Sequence, residues 1–336
     1  MLKIGILGVG HLGKIHLNCL SMLPEVYEVV GFFDPDDQHA SDANGRFGVP
    51  RFTDLGQLLD QVDVVDIVTP TVTHFELAEQ VMRRGKHLFI EKPVTQTLEQ
   101  AETLMRLQRQ TGLKVQVGHV ERFNPAVLSL GNLAVDPMFI EAHRLALFNP
   151  RGTDVSVVLD LMIHDLDIVL SMVDSEVVSI HASGVAVVSE TPDICNARLE
   201  FANGCVANLT ASRISLKQMR KVRLFQKDVY VSLDLLDKQA QVIRLFDSPG
   251  GQQTTGGQLL ELPTSNGPKW MSVEMPAIEQ VNAIKMELET FGQSILQNTP
   301  TKVPLEDGYD ALKLADWISR DMEERKNRLN LSGIAP

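Results

Sequence analysis

The chain has little that would tie it to a membrane, a secretory route or a nucleic acid. Only three cysteines occur in 336 residues, Cys19, Cys195 and Cys205, an odd number without metal-ligand spacing, and no metal is expected. Cys195 and Cys205 flank Asn203-Gly204, a tight-turn signal. A two-residue turn there sets Cys205 opposite Ala202 and leaves Cys195 far along the other arm, so no disulfide is expected. No apolar run reaches the roughly 18 residues that a membrane helix needs. The opening "MLKIGILGVG" is strand-like from residue 2, without the charged and apolar leader of a signal peptide. Positive charge is also short: 31 basic against 43 acidic residues give a formal charge of −12. That sign argues against nucleic acid or an anionic membrane as partner, though it permits a local basic pocket for a phosphorylated small molecule. The expectation is a reduced, cytoplasmic protein with a small-molecule ligand. With 44% hydrophobic and 22% charged residues it is an ordinary globular chain, long enough for two domains.

The two parts have different periods. Residues 1–119 alternate short apolar runs with helical segments, the pattern of βαβ units and a doubly wound parallel sheet. Strands are predicted at 2–7, 26–33, 51–52, 62–68, 87–90 and 114–117. "VDVVDIVT" is nearly continuous in β-branched residues, as a strand covered on both faces should be. Capping boxes are predicted at Thr73/Glu76 and Thr97/Gln100, with a weaker one at Asp54/Gln57. Gly85 and Gly112 mark helix ends. Asn124-Pro125 reads as an N-cap and first-turn proline, and the domain change is placed there: a Rossmann domain over 1–122 and an α+β domain over 123–336. In the second, strands at 138–147, 177–188, 194–202, 205–213, 219–226, 229–235 and 240–246 predict a large, mostly antiparallel open sheet, interrupted by a helical insert at 155–173. Residues 247–270, rich in Gly, Thr, Ser and Pro, read as a mobile loop or loose hairpin. Helices are predicted at 276–297 and 306–326, and no internal repeat is visible.

Gly8-x-Gly10-x-x-Gly13 follows the first strand and opens a helix. Gly8 permits the turn, Gly10 lets the main chain approach a pyrophosphate, and Gly13 allows close helix–strand packing. The N–H groups of the helix start, in the stretch Gly8, Gly10, His11, Leu12 and Gly13, then hold the pyrophosphate. Asp34, ending the second strand, is placed to accept from the adenosine ribose hydroxyls. Asp36 and Asp37 follow it, with no nearby Arg or Lys in sequence for a 2′-phosphate, which favours NAD over NADP. The loops "TPTVTH" (69–74) and "EKP" (91–93) fall at the carboxyl edge of the same sheet. Thr69, Pro70, Thr71, His74, Glu91 and Lys92 are therefore candidate contacts at the nicotinamide end, with helix capping as the alternative for the threonines.

Lys92 closes a buried strand at that edge, where a pocket can make it a donor to a substrate hydroxyl; the alternative is an ion pair with Glu91. "VLDLMIHDLDIVLS" (158–171) is too apolar to carry three carboxylates and a histidine without a reason. On an α-helix Asp160 and His164 are about 40° apart, Asp167 shares their face, and Asp165 points elsewhere. That face lines a polar pocket, and Lys92, Asp160 and His164 form a set suited to oxidising an alcohol.

"GILGVGHLGKIH", "EKP", "GHVERFNP", "DLMIHDLD", "LEFANGCVANLTAS" and "VPLEDGYDALKLADWI" together resemble the Gfo/Idh/MocA oxidoreductases, over the whole chain and in the right order. The resemblance implies a Rossmann domain, a second domain whose open sheet forms a homodimer or homotetramer interface, and NAD(P)-dependent oxidation of a sugar or polyol. It also implies that Lys92, Asp160 and His164 are the catalytic set. Asp167 would orient His164 and Asp165 pair with a surface cation. Two departures stand out: Thr71 replaces an asparagine found in many members, and "DVSVV" replaces a glycine cluster. "GHVERFNPA" and "RKVRLFQKDVYVSLDL" look most similar to a branch that oxidises the 3-hydroxyl of UDP-N-acetylglucosamine ahead of amino-sugar synthesis for lipid A. Such a substrate calls for cations near the pocket, and Arg122, Arg144 and Arg151 are candidates, with Asn124 beside them; ion pairing is the alternative for each arginine. Rival readings are a dehydrogenase of a free sugar or inositol, a redox-neutral glycosidase that retains NAD, a non-catalytic NAD sensor, and, more distantly, a biliverdin-reductase-like enzyme.

Overall fold

The structure, a computed structural model, describes residues 1–131, 133–149, 155–248, 258–265 and 267–331. It divides into two compact units, Met1–Phe123 with Asn282–Leu312, and Asn124–Val281 with Lys313–Pro336. A single cut near residue 122 therefore does not describe the chain, because a later segment returns to the first unit. The reason is packing. Leu288 and Phe291, on helix α8 (Ala283–Leu296), are fully buried in the core of the first unit. Tyr27 Oη donates to Leu288 O at 2.8 Å and Gln116 Nε2 to Glu287 O at 2.8 Å.

The first unit holds six parallel strands, β1 (Leu2–Leu7), β2 (Tyr27–Phe33), β3 (Arg51–Phe52), β4 (Val64–Ile67), β5 (His87–Glu91) and β6 (Val115–Gly118). Their order is β3-β2-β1-β4-β5-β6, the doubly wound order with its switch point between β1 and β4. Every residue of β4 is buried, Asp66 included, as a strand covered on both faces should be. Helices α1 (His11–Leu20), α2 (Asp37–Phe47), α3 (Leu55–Leu59), α4 (His74–Arg83) and α5 (Leu98–Thr111) intervene. The Thr97/Gln100 capping box is formed in both directions, and Gly112 ends α5 in the left-handed region at φ +68°. Thr73 does not cap: its hydroxyl donates to Thr69 Oγ1 at 2.8 Å and to Pro70 O at 2.9 Å, closing a 3₁₀ turn over Thr71–Thr73 instead.

The second unit holds nine strands, β7 (Phe139–Leu145), β8 (Val177–Val185), β9 (Ile194–Phe201), β10 (Val206–Ser212), β11 (Met219–Gln226), β12 (Val229–Asp234), β13 (Gln239–Phe246), β14 (Gln258–Thr264) and β15 (Gly267–Glu274). They run in the order β14-β15-β13-β12-β11-β7-β10-β9-β8. All pairs are antiparallel except β7 with β10. The Gly- and Thr-rich stretch thus ends in a regular hairpin, two strands beyond the seven predicted. At Asn203-Gly204 the register Val206↔Glu200 leaves three residues in the loop, so Cys205 sits opposite Phe201 and not Ala202; Gly204 takes φ +88°. All three cysteines are free. Asn124 caps α6 (Pro125–Leu128), its side chain accepting from Ala126 N–H at 3.0 Å. Helix α8 starts at 283 rather than 276, because Asn282 caps it by accepting from Lys285 N–H. The last helix, α9 (Leu305–Leu331), has the unit boundary within it.

Alternate residues of the β-sheet in the second unit face one core, which holds Ile140, Ala142, Leu199, Leu209, Val222, Leu224 and Val231. Just before β9, Asp193 is fully buried, and Oδ2 accepts from the N–H groups of Val187, Val188 and Ser189 at 2.8, 2.6 and 3.0 Å. Burial opposes that charge, but the N–H groups outweigh it and hold the carboxyl well below the usual carboxylate range. A depressed folded pKa stabilises above the unfolded value, near about 4, and that stabilisation is lost as pH falls toward the folded value. Asp193→Asn should therefore lower the melting temperature at neutral pH, with the gap to the wild type closing below about pH 4. Thermal melts over a pH series check this; a gap that does not change with pH would contradict it.

Candidate active site

Seven of the residues expected to hold the cofactor come together. Gly8, Gly10, His11, Leu12, Asp34, Thr69 and Pro70 line one cavity of about 580 Å³ at the switch point between β1 and β4. Phe33, Val68 and Leu77 form apolar parts of its wall, and Thr73 and His39 also line it. Thr73 was expected only to cap a helix, and the other four did not stand out in the sequence, since nothing in a lone residue marks a wall position.

The glycines divide by cause. Gly8 has φ +87°, and a Cβ there would lie 2.8 Å from Val68 O. A Cβ on Gly13 would run into Gly8 O. Gly10 differs: the nearest atom to its Cβ position is His39 Cε1 at 3.8 Å, so packing within the chain does not demand glycine. The space it leaves opens on the cavity, as close approach of a pyrophosphate requires. Gly10 is the N-cap of α1 with no side-chain cap, and the first turn carries no acidic residue. The N–H groups there point to an anion. These residues fit NAD. Gly13→Val should abolish NAD binding, measured by fluorescence titration of folded protein; a variant with unchanged affinity would contradict the assignment.

Asp34 is nearly buried, and both oxygens already serve the main chain: Oδ2 accepts from Val9 N–H at 2.7 Å and Oδ1 from Asp36 N–H at 2.8 Å. It thereby fixes the glycine loop as well as facing the cavity. Contrary to the sequence expectation, one arginine does reach this corner. Arg51, from β3, donates to Asp34 O at 2.9 Å and to Asp37 Oδ1 at 2.7 Å, so its charge is engaged by a carboxylate.

His74 is not part of the cavity lining. It is buried with Nε2 2.9 Å from Thr69 O and Nδ1 3.0 Å from Pro93 O. It bridges the two loops expected at the nicotinamide end, acting on their position instead of on a ligand. Burial lowers its pKa, and the two carbonyls act in the opposite direction. Thr71 lies in the 3₁₀ turn. Glu91 is buried, with Oε2 accepting from Lys92 N–H at 3.2 Å, while Lys92 itself is half-buried at the end of β5. Arg122 pairs with Asp307 at 2.8 Å within the same unit.

In the second unit, the segment carrying the acid–histidine motif begins as a π-helical turn, Val158–Met162, and continues as α7 (Ile163–Met172). Such turns are frequent at functional sites, where the widened turn re-aims side chains that a regular helix would pack. Asp160 lies in the widened turn and His164 one turn later, both half-buried. Sequence reasoning missed Arg213, at the end of β10. It is nearly buried, donates to Val155 O at 2.6 Å, and brings Nη2 to 3.9 Å from Asp160 Oδ2.

Two of the remaining acidic residues are also placed. Asp165 is buried and not on the surface, and its carboxylate accepts from both Nε and Nη2 of the buried Arg144, at 3.0 and 2.8 Å. Arg144 is itself 3% exposed, so its fork is committed to holding α7 on β7, and it leaves the set of candidate phosphate ligands. Asp167 is buried. Asn124 likewise serves structure, accepting from Ala126 N–H and donating to Leu235 O at 2.9 Å. Arg151 lies outside the described residues.

Residues 2–119 match the oxidoreductase family with an NAD-binding Rossmann fold, and residues 142–226 match the GFO/IDH/MocA C-terminal domain. UDP-N-acetylglucosamine 3-dehydrogenase of Acidithiobacillus ferrooxidans is 38% identical over 242 residues, 72% of this chain and 76% of that one. The solved structure of that enzyme, GnnA, superposes with a TM-score of 0.85 at 32% identity, covering 96% of this chain and 98% of the other. Scyllo-inositol dehydrogenase from Lactobacillus casei, solved with NAD(H) and scyllo-inositol, shares the fold at 21% identity with a TM-score of 0.75, covering 97% and 98%. With both domains matched and the cofactor cradle formed, the chain belongs to the GFO/IDH/MocA family of NAD-binding oxidoreductases.

Proposed function

We propose that this oxidoreductase oxidises a secondary hydroxyl of a sugar, namely C3 of UDP-N-acetylglucosamine, to the ketone. The observation that carries this reading is the likeness to a UDP-N-acetylglucosamine 3-dehydrogenase, which spans nearly the whole of both chains at a TM-score of 0.85. Bound NAD supplies the hydride acceptor. His164 takes the proton of the substrate hydroxyl, a role suited to an imidazole near neutral pH. Lys92 donates a hydrogen bond to the oxygen as negative charge develops there. Asp160, with Arg213 behind it, orients the substrate or the imidazole. Arg122 is the phosphate ligand among the described candidate arginines, reached by exchange of its partner Asp307.

The experiment follows NADH formation with UDP-N-acetylglucosamine, myo-inositol, scyllo-inositol and glucose, adding an amine acceptor to draw off the ketone. Turnover confined to the UDP-sugar supports the proposal. Turnover confined to an inositol would replace the substrate and keep the residue roles.

The enzyme works as a homodimer or homotetramer through the outer face of the nine-stranded sheet. That face carries Phe139, Phe225 and Tyr230 in a partly exposed row, with ring centroids 5.8 and 4.9 Å apart. Light scattering on the purified protein tests it, a monomer being the contrary result. Among the described residues no helix is long and apolar enough to cross a membrane. The free cysteines suit a reducing compartment such as the cytoplasm.

A further inference from the structure

We propose that His16, Glu91 and Glu287 form a site for one divalent first-row metal ion, zinc being the ion that best suits its donors, inside the first unit. His16 projects from α1, Glu91 ends β5 and Glu287 lies near the start of α8. Their nearest donor atoms all fall within 4.8 Å of one another. His16 Nε2 is 3.3 Å from Glu91 Oε1, about the spacing of two ligands on one tetrahedral ion with bonds of roughly 2 Å.

Three independent features point to a ligand. Glu287 is fully buried, and among the described residues neither of its carboxylate oxygens has a hydrogen-bond partner. Orphaned polar atoms at that depth cost free energy unless something occupies the space between them. Next, Asp66 lies behind the histidine, Oδ2 2.9 Å from His16 Nδ1. A carboxylate there can accept a hydrogen bond from Nδ1–H and so present the lone pair of Nε2, the arrangement that orients metal-binding histidines elsewhere. Finally, Gly118 clears the way for Glu91: a Cβ at that position would lie 2.7 Å from Oε1.

The charge count agrees. Asp66, Glu91 and Glu287 surround a single imidazole. A divalent cation would balance the two ligand carboxylates without protonating either. One imidazole and two carboxylates suit zinc over calcium or magnesium, which take six or more oxygens or retain water. The remaining coordination position falls to the second oxygen of Glu287 or to water. The four residues are scattered from 16 to 287, so no spacing motif announces the site.

Metal content tests this without reference to turnover or substrate. Protein expressed with added zinc and dialysed natively against EDTA should hold close to one zinc per chain by mass spectrometry, and should release it only when unfolded in the presence of the chelator. Cobalt refolded into the apoprotein should give the visible bands of a four-coordinate ion. Glu287→Gln should abolish those bands, and Asp66→Asn should weaken binding about 10–100-fold. Folded, NAD-binding wild-type protein that holds no metal would overturn the proposal. So would an infrared band of a protonated carboxyl in the wild type that Glu287→Gln removes.

Discussion

His164→Ala is expected to lower kcat by roughly 10²–10⁴-fold, the contribution of a positioned general base. The loss should fall on kcat and on kcat/KM alike, because the proton moves only as the carbon–hydrogen bond breaks. NAD affinity should be unchanged, since the cofactor cradle is built from loops of the first unit. His164 is half-buried on a helix whose core face holds Leu166, Ile168 and Val169, so the variant should fold and melt near the wild type. Steady-state kinetics with cofactor titration separate these terms. A loss smaller than about tenfold would move the base role to Lys92.

Asp165→Ala should have the largest effect on stability. It takes two hydrogen bonds and the paired charge from the Arg144 guanidinium, which is 3% exposed. Breaking a buried pair by removing one partner costs about 3–5 kcal/mol. For a unit of this size, that is a fall in Tm on the order of 10 °C. Removing both charges is a different matter, because the desolvation of two ions disappears with their attraction. The double variant Arg144→Met/Asp165→Leu should therefore recover most of the loss. Calorimetry on the single and double variants reads this directly. Asp165→Ala melting with the wild type would contradict the pairing, and a double variant no better than the single would mean the residues have other structural work.

The cofactor half of the site was legible in the sequence because its causes are local. A strand, three glycines at fixed spacing and a helix lie within a dozen residues, and Gly8 and Gly13 are glycine for steric reasons that spacing alone conveys. The acid–histidine segment was half legible. Polar residues in an apolar run announced a function, but a regular helical period was assumed where a π turn stands, and nothing in the residues signals that widening.

Long-range pairing was the blind spot. Arg144 and Asp165 lie on different elements, so each read as a separate surface or pocket charge until β7 and α7 met. Arg213, the His74 bridge and the His16 cluster escaped for the same reason. The hairpin over 258–274 was obscured by composition, its strands being preceded by a stretch of Gly, Thr and Gln that reads as loop. Thr73 misled because a Thr–x–x–Glu pattern fits a capping box, while its hydroxyl had closer acceptors at Thr69 and Pro70.

The most direct test of the central claim uses UDP-N-acetylglucosamine carrying deuterium at sugar carbon 3. Incubated with the enzyme and NAD, it should yield deuterated NADH with one label per turnover, and single-turnover oxidation should slow relative to unlabelled sugar. NADH formed without the label would mean that another carbon is oxidised. No label transfer and no NADH, from protein that binds NAD, would contradict the proposed reaction.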